Sequence, residues 1–297
     1  MNDFHPESAS DIEKIASHIL RESKAYRKFP TPVEKVVSCA NLILNKEISL
    51  HKRPQSFFTK AFEGIGAVSR KVLGLLDFRQ KIIYLDLNQN ANRKRFIQLH
   101  EVGHKVCPWQ AAVFRWDDER TISPDIEELF EREASFFASS VLFQLGVFEE
   151  EADRMSLSMK SAFALANMFG ASIQATLRRY VQYSKKRLAL LVLEKTDLKG
   201  GFSACVRNFF ASPPFIRDYG NITWPEACGI QFPFIQDVLQ RRKFHENGEL
   251  LLSGVADLPT KFDYHYFDNS YNIFILIKPA GEKIKSRTKI ILASNSV

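Results

Sequence analysis

Hydrophobic and polar positions follow two different periods along this chain, and the change between them falls near residue 187. Up to that point apolar residues recur mostly at helical spacing. Beyond it they form short apolar or alternating runs. Ser10 with Glu13, and Thr31 with Glu34, have the spacing of capping boxes, the second with Pro32 at the first helical position. They predict helices over about 10–27 and 32–46. Residues 72–77, turning through Phe78-Arg79-Gln80 into 81–87, predict a strand hairpin, and the turn-prone Asn88, Asn90 and Asn92 close it. A helix is expected from about Asn92 to Val106, where Pro108 prevents its continuation. A second long helix is expected over 124–143, because Phe130, Ala134, Phe137, Ala138 and Val141 form one apolar stripe.

Residues 156–184 read as helix, tight turn, helix, with Ala166 and Gly170 at helix-turn-helix spacing and Ser172 capping the second helix. After 187, the runs 188–193, 249–255, 271–277 and 289–293 predict strands, and a helix near 234–243 interrupts them. The fold class that follows is α+β. A mostly helical domain with a small antiparallel sheet occupies 1–155, a helix-turn-helix-like pair packed on it occupies 156–186, and a smaller antiparallel α+β domain occupies 187–297. Phe262, Tyr264, Tyr266, Phe267 and Tyr271 are expected in the core of that last domain rather than around a pocket.

Composition narrows this only a little. A chain of 297 residues, 45% hydrophobic, is long enough for two cores. The formal charge of +7 permits a nucleic acid or an acidic protein as partner without demanding either. Cys39, Cys107, Cys205 and Cys228 show no CxxC pairing and read as reduced thiols. No secretory signal or membrane span is visible, so the expected location is cytoplasmic.

Candidate chemistry changes the picture far more. His100-Glu101-Val102-Gly103-His104 is an HExxH sequence on the predicted 92–106 helix. Four residues advance a helix by about 400°, so the two imidazoles lie one turn apart on one face, where one zinc ion can take both. Glu101 sits about 100° further round, placed to act as general base on water activated by the metal without being a ligand. Phe96 and Ile97, one turn earlier, aim the histidine face inward.

A third ligand is needed, and His5, His18, His51, His245 and His265 lack ligand spacing. Glu127, Glu131 and Glu133 border the apolar stripe of the 124–143 helix. Periodicity does not choose among them, since Glu131 and Glu133 flank the stripe at nearly equal angles. Side-chain size favours Glu131, with Glu127 on the same side, because the small Ala134 and Ala138 lie there and would let the two helices approach closely. Glu133 reads as part of a solvated face.

Arg95-Phe96 ahead of the HExxH, and Glu131-Arg132-Glu133-Ala134-Ser135-Phe136-Phe137-Ala138 followed by Val141-Leu142, resemble the two signature blocks of the ImmA/IrrE family of zinc metallopeptidases. Those blocks run R-F-x-x-A-H-E-x-G-H and E-x-x-A-N-x-F-A. The resemblance implies a zincin-like fold with Zn2+ on His100, His104 and Glu131 and with Glu101 as catalytic base. Leu99 replaces the usual Ala before the first histidine. Ser135 stands where Asn or Asp is commoner, at a position that orients a ligand histidine in related zincins; serine is shorter, so weaker or water-mediated support is expected.

The same resemblance implies a protein substrate, typically a helix-turn-helix transcriptional repressor encoded nearby. A rival expectation is a non-proteolytic transcriptional regulator with a structural zinc site, in which Gln174, Arg178 and Arg179 of the helix pair contact DNA. A toxin-antitoxin component is a third. Some members of the family carry a GAF-like sensor after the peptidase region; no motif here identifies one, and a regulatory or substrate-selecting role for 187–297 is the expectation.

Overall fold

The computed structural model describes residues 6–45, 74–86, 88–116, 123–196, 203–253 and 259–281. The chain divides into two compact units, Met1–Glu150 with Leu165–Ile173, and Glu151–Ala164 with Gln174–Val297. The expected boundaries lay at 155 and 186, whereas this division runs through the helix pair.

The first unit is α+β with helices predominating. α1 (Ala9–Glu22) buries Ile12, Ala16, Ile19 and Leu20 and packs on the long helix that carries Glu131. It starts before Ser10, which lies inside the helix, so the expected capping box at Ser10 does not form. α2 spans only Val33–Cys39. The expected box at Thr31 is also absent: the Thr31 hydroxyl is buried, donating to the Leu142 carbonyl at 3.1 Å and accepting from Gln144 Nε2 at 2.9 Å.

The expectation of helix out to residue 46 is corrected too. Asn41, at φ 56°, ends the helical path, and Ile43–Asn45 becomes β1. A β-branched residue and a strand partner decide against helix here. β2 (Gly74–Asp77) and β3 (Ile82–Leu85) form the expected hairpin, with Leu75 opposite Tyr84 and Leu76 opposite Ile83. β1 adds to β3 in parallel, so the sheet, ordered β1-β3-β2, is mixed and not purely antiparallel.

After β3, Asp86 accepts from the Asn88 N–H at 3.0 Å and from Gln89 Nε2 at 2.6 Å, which shapes the turn into α3 (Ala91–Val106). Asn90 caps that helix, its side chain accepting from the Arg93 N–H. α3 stops at Val106 as expected, but Pro108 does more than stop it: it opens a further helix, α4 (Pro108–Trp116). α5 (Pro124–Leu142) also begins on a proline and buries the predicted stripe. Phe143, Phe148 and Phe169 pack in the unit's core with the exposed Phe29 against Phe169, the centroids of Phe29–Phe169, Phe169–Phe148 and Phe148–Phe143 each about 5 Å apart.

Next come α6 (Val147–Asp153), α7 (Met159–Phe169) and α8 (Ile173–Gln182), with Gly170 at φ 64° between the last two. The second unit is built on a six-stranded antiparallel sheet ordered β6-β5-β4-β9-β8-β7. Its strands are β4 (Ala189–Thr196), β5 (Ser203–Ala211), β6 (Ala227–Cys228), β7 (Phe244–Ser253), β8 (Pro259–Asp268) and β9 (Asn272–Pro279). The expected strand over 289–293 lies outside the described residues, as do His5 and His51.

One sheet face packs Leu191, Tyr264, Tyr266 and Ile275 against Phe215 of α9 (Pro213–Tyr219) and Phe234 of α10 (Pro233–Leu239). Of the aromatics expected in the core, Phe262, Tyr264 and Tyr266 are buried on this face, whereas Phe267 is half-buried on the other face and Tyr271 is exposed in the β8–β9 turn. Asp237 of α10 is buried on the same side. It accepts from Tyr264 Oη at 2.9 Å, Arg242 Nη1 at 2.9 Å and His245 Nδ1 at 3.2 Å. Gly248 lies flat on the Tyr264 ring; a Cβ there would meet ring carbons at 2.0 Å, which only glycine avoids. On the opposite face Phe163 meets Phe244 at a tilt and Phe267 edge-on, and buried His265 accepts the Met159 N–H at 3.2 Å.

Candidate metal centre

α3 and α5 cross closely, and the residues at the crossing explain why. A Cβ on Gly103 would lie 3.1 Å from the Ala134 Cα, 3.2 Å from its carbonyl oxygen and 3.2 Å from Phe137 Cδ1. Glycine at 103 therefore lets α3 lie against the Ala134 backbone of α5, where any side chain would press the two helices apart by a few tenths of an ångström. That approach carries the Glu131 side chain over the histidine face of α3.

Three side chains converge there. His100 Nε2 and His104 Nε2 are 3.1 Å apart, and the Glu131 oxygens lie 3.3 Å from His100 Nε2 and 3.4 Å from His104 Nε2. Among the described residues, His100, His104 and Glu131 are the one group of this kind, with ligand atoms within 4.8 Å of one another. Glu127 is not in that group.

The donor set suits zinc, which takes imidazole nitrogen and carboxylate oxygen. Ligand atoms about 2.0–2.2 Å from a common tetrahedral ion lie roughly 3.3–3.6 Å from one another. The observed separations of 3.1–3.4 Å fit that arrangement. The Glu131 side chain remains 45% exposed, leaving one side of the cluster open to solvent.

The electrostatics follow from burial and proximity. Burial opposes ionisation of Glu131, but its contacts with His100 and His104 outweigh that and hold its carboxyl well below the usual carboxylate range. Burial likewise opposes charge on His104. Glu131, Glu101 and the Gln110 amide overcome it and raise the imidazole. Glu101 is buried, and desolvation raises its carboxyl against the opposing pull of His100 and His104. Cys107 lies outside the group; burial pushes its thiol up to about 12 and keeps it neutral.

Ser135 does face His100, with Oγ 3.3 Å from Nδ1, at the long end of hydrogen-bonding distance. The expectation for Glu133 is overturned. It is 3% exposed, not solvated, and accepts from Trp109 Nε1 at 2.7 Å, Gln110 Nε2 at 2.6 Å and the Ser8 hydroxyl. Gln110 in turn meets His104 Nδ1 at 2.8 Å. Trp109 and Gln110 lie on a helix that the sequence signals only by a proline followed by apolar and polar residues at helical spacing.

The helix-pair residues are placed elsewhere. Gln174 is exposed, but Arg179 is buried with its guanidinium 4.4 Å from the Tyr183 ring centroid. Arg178 lies 4.8 Å from the Phe210 ring centroid and bonds Gln182 at 3.0 Å. Burial lowers its guanidinium to about 10.

An HExxH helix with a glutamate from a second helix closing the ligand set is the arrangement of a zincin-like metallopeptidase. Residues 66–180, which contain that whole arrangement, match the family model for peptidase M78, the IrrE N-terminal-like domain, the same family that the two sequence blocks resemble. No curated protein matches the chain. Among solved structures, a Mycobacterium tuberculosis transcriptional regulator is similar in fold, with a TM-score of 0.52 at 9% identity over 93% of this chain and 79% of that one. No helix among the described residues is long and apolar enough to cross a membrane.

Proposed function

We propose that the site on α3 and α5 makes this protein a zinc-dependent endopeptidase that cleaves a specific protein. The observation that carries the reading is the convergence of His100, His104 and Glu131 beside the buried Glu101. Zinc held there would lower the pKa of water towards about 7 and polarise a peptide carbonyl. Glu101 takes the proton as water attacks and delivers it to the leaving nitrogen. A carboxylate with a raised pKa suits both halves of that exchange. The exposed side of Glu131 gives an extended peptide its approach.

The substrate we favour is a helix-turn-helix transcriptional repressor encoded near this protein, as the resemblance of the two signature blocks to the ImmA/IrrE family implies. The second unit, with a core of its own, is assigned a regulatory or substrate-selecting part. The four free thiols suit a cytoplasmic setting.

Direct DNA binding by the helix pair is the weaker reading. Arg178 and Arg179 are spent on aromatic partners, leaving Gln174 exposed. The test is cleavage of the neighbouring repressor by purified, zinc-loaded protein. Glu101→Gln is expected to retain zinc and lose cleavage, and chelation to abolish it. Unchanged cleavage in Glu101→Gln refutes the mechanism; salt-dependent DNA binding that survives both treatments, without cleavage, favours the regulator.

A further inference from the structure

Gln110 is fully buried, and both ends of its amide are engaged. Nε2 donates to Glu133 Oε2 at 2.6 Å and faces the Phe130 carbonyl at 3.3 Å. Both partners can only accept. Turned over, the amide would put its oxygen against two other oxygens inside the protein, where an unsatisfied polar contact costs about 1–3 kcal/mol. The orientation is therefore set. Oε1 then faces His104 Nδ1 at 2.8 Å, and only a protonated Nδ1 can donate to it.

The consequence lies on the other side of the ring. With its proton on Nδ1, neutral His104 carries its lone pair on Nε2, the atom that faces His100 Nε2 at 3.1 Å and Glu131 Oε1 at 3.4 Å. An unconstrained neutral imidazole favours the other tautomer, with the proton on Nε2. Something must hold the balance, and Glu133 is the group that holds Gln110. It is itself fixed by Trp109 Nε1 and by the Ser8 hydroxyl just ahead of α1.

On the metal-site reading proposed above, we infer that Glu133 and Gln110 are positioning residues, a relay that locks His104 in the Nδ1–H tautomer and so presents Nε2 to zinc. His100 has a different support. The Ser135 hydroxyl, 3.3 Å from His100 Nδ1, can donate or accept, so it orients the ring without choosing a tautomer. The two ligand histidines are thus held unequally, and the tautomer control sits on His104.

The relay is tested on the full chain by two independent measurements. The first is the ring 15N spectrum of the zinc-free protein near pH 9, which reads the tautomer of His104 without any metal. The second is zinc affinity by competition with a chelator. Wild type is expected to show His104 with its proton on Nδ1. Gln110→Leu should lose that preference and bind zinc about 10–100-fold more weakly. Ser135→Ala should weaken zinc less than Gln110→Leu does.

Glu133→Gln keeps acceptors for Trp109 and Gln110 and offers the Ser8 oxygen a donor, so it should stay near wild type where Glu133→Leu does not. Should Gln110→Leu fail to fold, Gln110→Asn, one methylene too short to span Glu133 and His104, takes its place. A His104 tautomer and zinc affinity unchanged in the Gln110 variant overturn the relay. Absence of zinc binding by wild type overturns the metal-site reading instead, while the spectrum of the zinc-free protein still decides whether Gln110 sets the tautomer.

Discussion

Replacing Gly103 with alanine sets two known effects against each other. In a helix interior, alanine is favoured over glycine by about 1 kcal/mol, because glycine loses more backbone freedom on folding. Against that, the new methyl would stand 3.1 Å and 3.2 Å from the Cα and carbonyl oxygen of Ala134 and 3.2 Å from Phe137 Cδ1. Carbon contacts are comfortable at about 3.5–4.0 Å, so α3 and α5 must part by several tenths of an ångström. Two of the three obstacles are backbone and cannot rotate aside. Overpacking of this kind costs about 1–3 kcal/mol, so the net expectation is a loss of roughly 1 kcal/mol.

The displacement falls between the helix bearing both histidines and the helix bearing Glu131. Zinc ligand distances tolerate only about 0.2 Å, so affinity should drop about tenfold or more, a further effect near 1.4 kcal/mol. Urea unfolding of the zinc-free protein measures the first quantity and chelator competition the second. A Gly103→Ala protein that gains about 1 kcal/mol and binds zinc as wild type does would refute the close-approach reasoning.

Other expectations concern the second unit and the reaction. His265 is buried and, through desolvation first and then Lys278, is lowered from 6.5 to about 4. The unfolded chain then binds a proton that the folded one refuses between about pH 4 and 6.5, so stability should rise with pH across that window and be fully present above it. The amplitude is on the order of 3 kcal/mol at most, and His265→Asn should flatten the curve in pH-dependent urea melts; an unaltered slope counts against the assignment. Asp237→Ala strands Tyr264 Oη and His245 and should cost about 3 kcal/mol, with a loss under about 1 kcal/mol contradicting the buried network. Glu101→Gln should keep zinc affinity within a few-fold of wild type while cleavage falls by a factor of about 100 or more, since only proton transfer is removed.

How much of this was legible beforehand depended on whether one element or two had to be known. His100, Glu101 and His104 share a helix, and helical geometry alone brings them together. Glu131 required a second helix, and the small residues at the crossing carried that information. Glu133 reads as solvated because its partners Gln110 and Trp109 lie on α4, whereas in the sequence Pro108 signals only the stop of α3; without that helix a buried acid has nothing to bond. β1 reads as helix for a similar reason, since its place is set by pairing with β3, nearly forty residues on. β5 gives no clear strand signal because Arg207 and Asn208 interrupt its apolar residues, whereas β4 and β9, the central strands, are apolar throughout much of their length.

The hydrogen bond from Trp109 to Glu133 has a practical consequence. The chain holds three tryptophans, and this indole touches the carboxylate that steadies Gln110, which in turn touches His104. Loading the histidine with metal, or loosening its support, changes the field at the indole ring. The protein thus contains an intrinsic fluorophore a few hydrogen bonds from the candidate metal centre. Emission read in Trp116→Phe and Trp224→Phe backgrounds would report occupancy of that centre in real time, with no label attached.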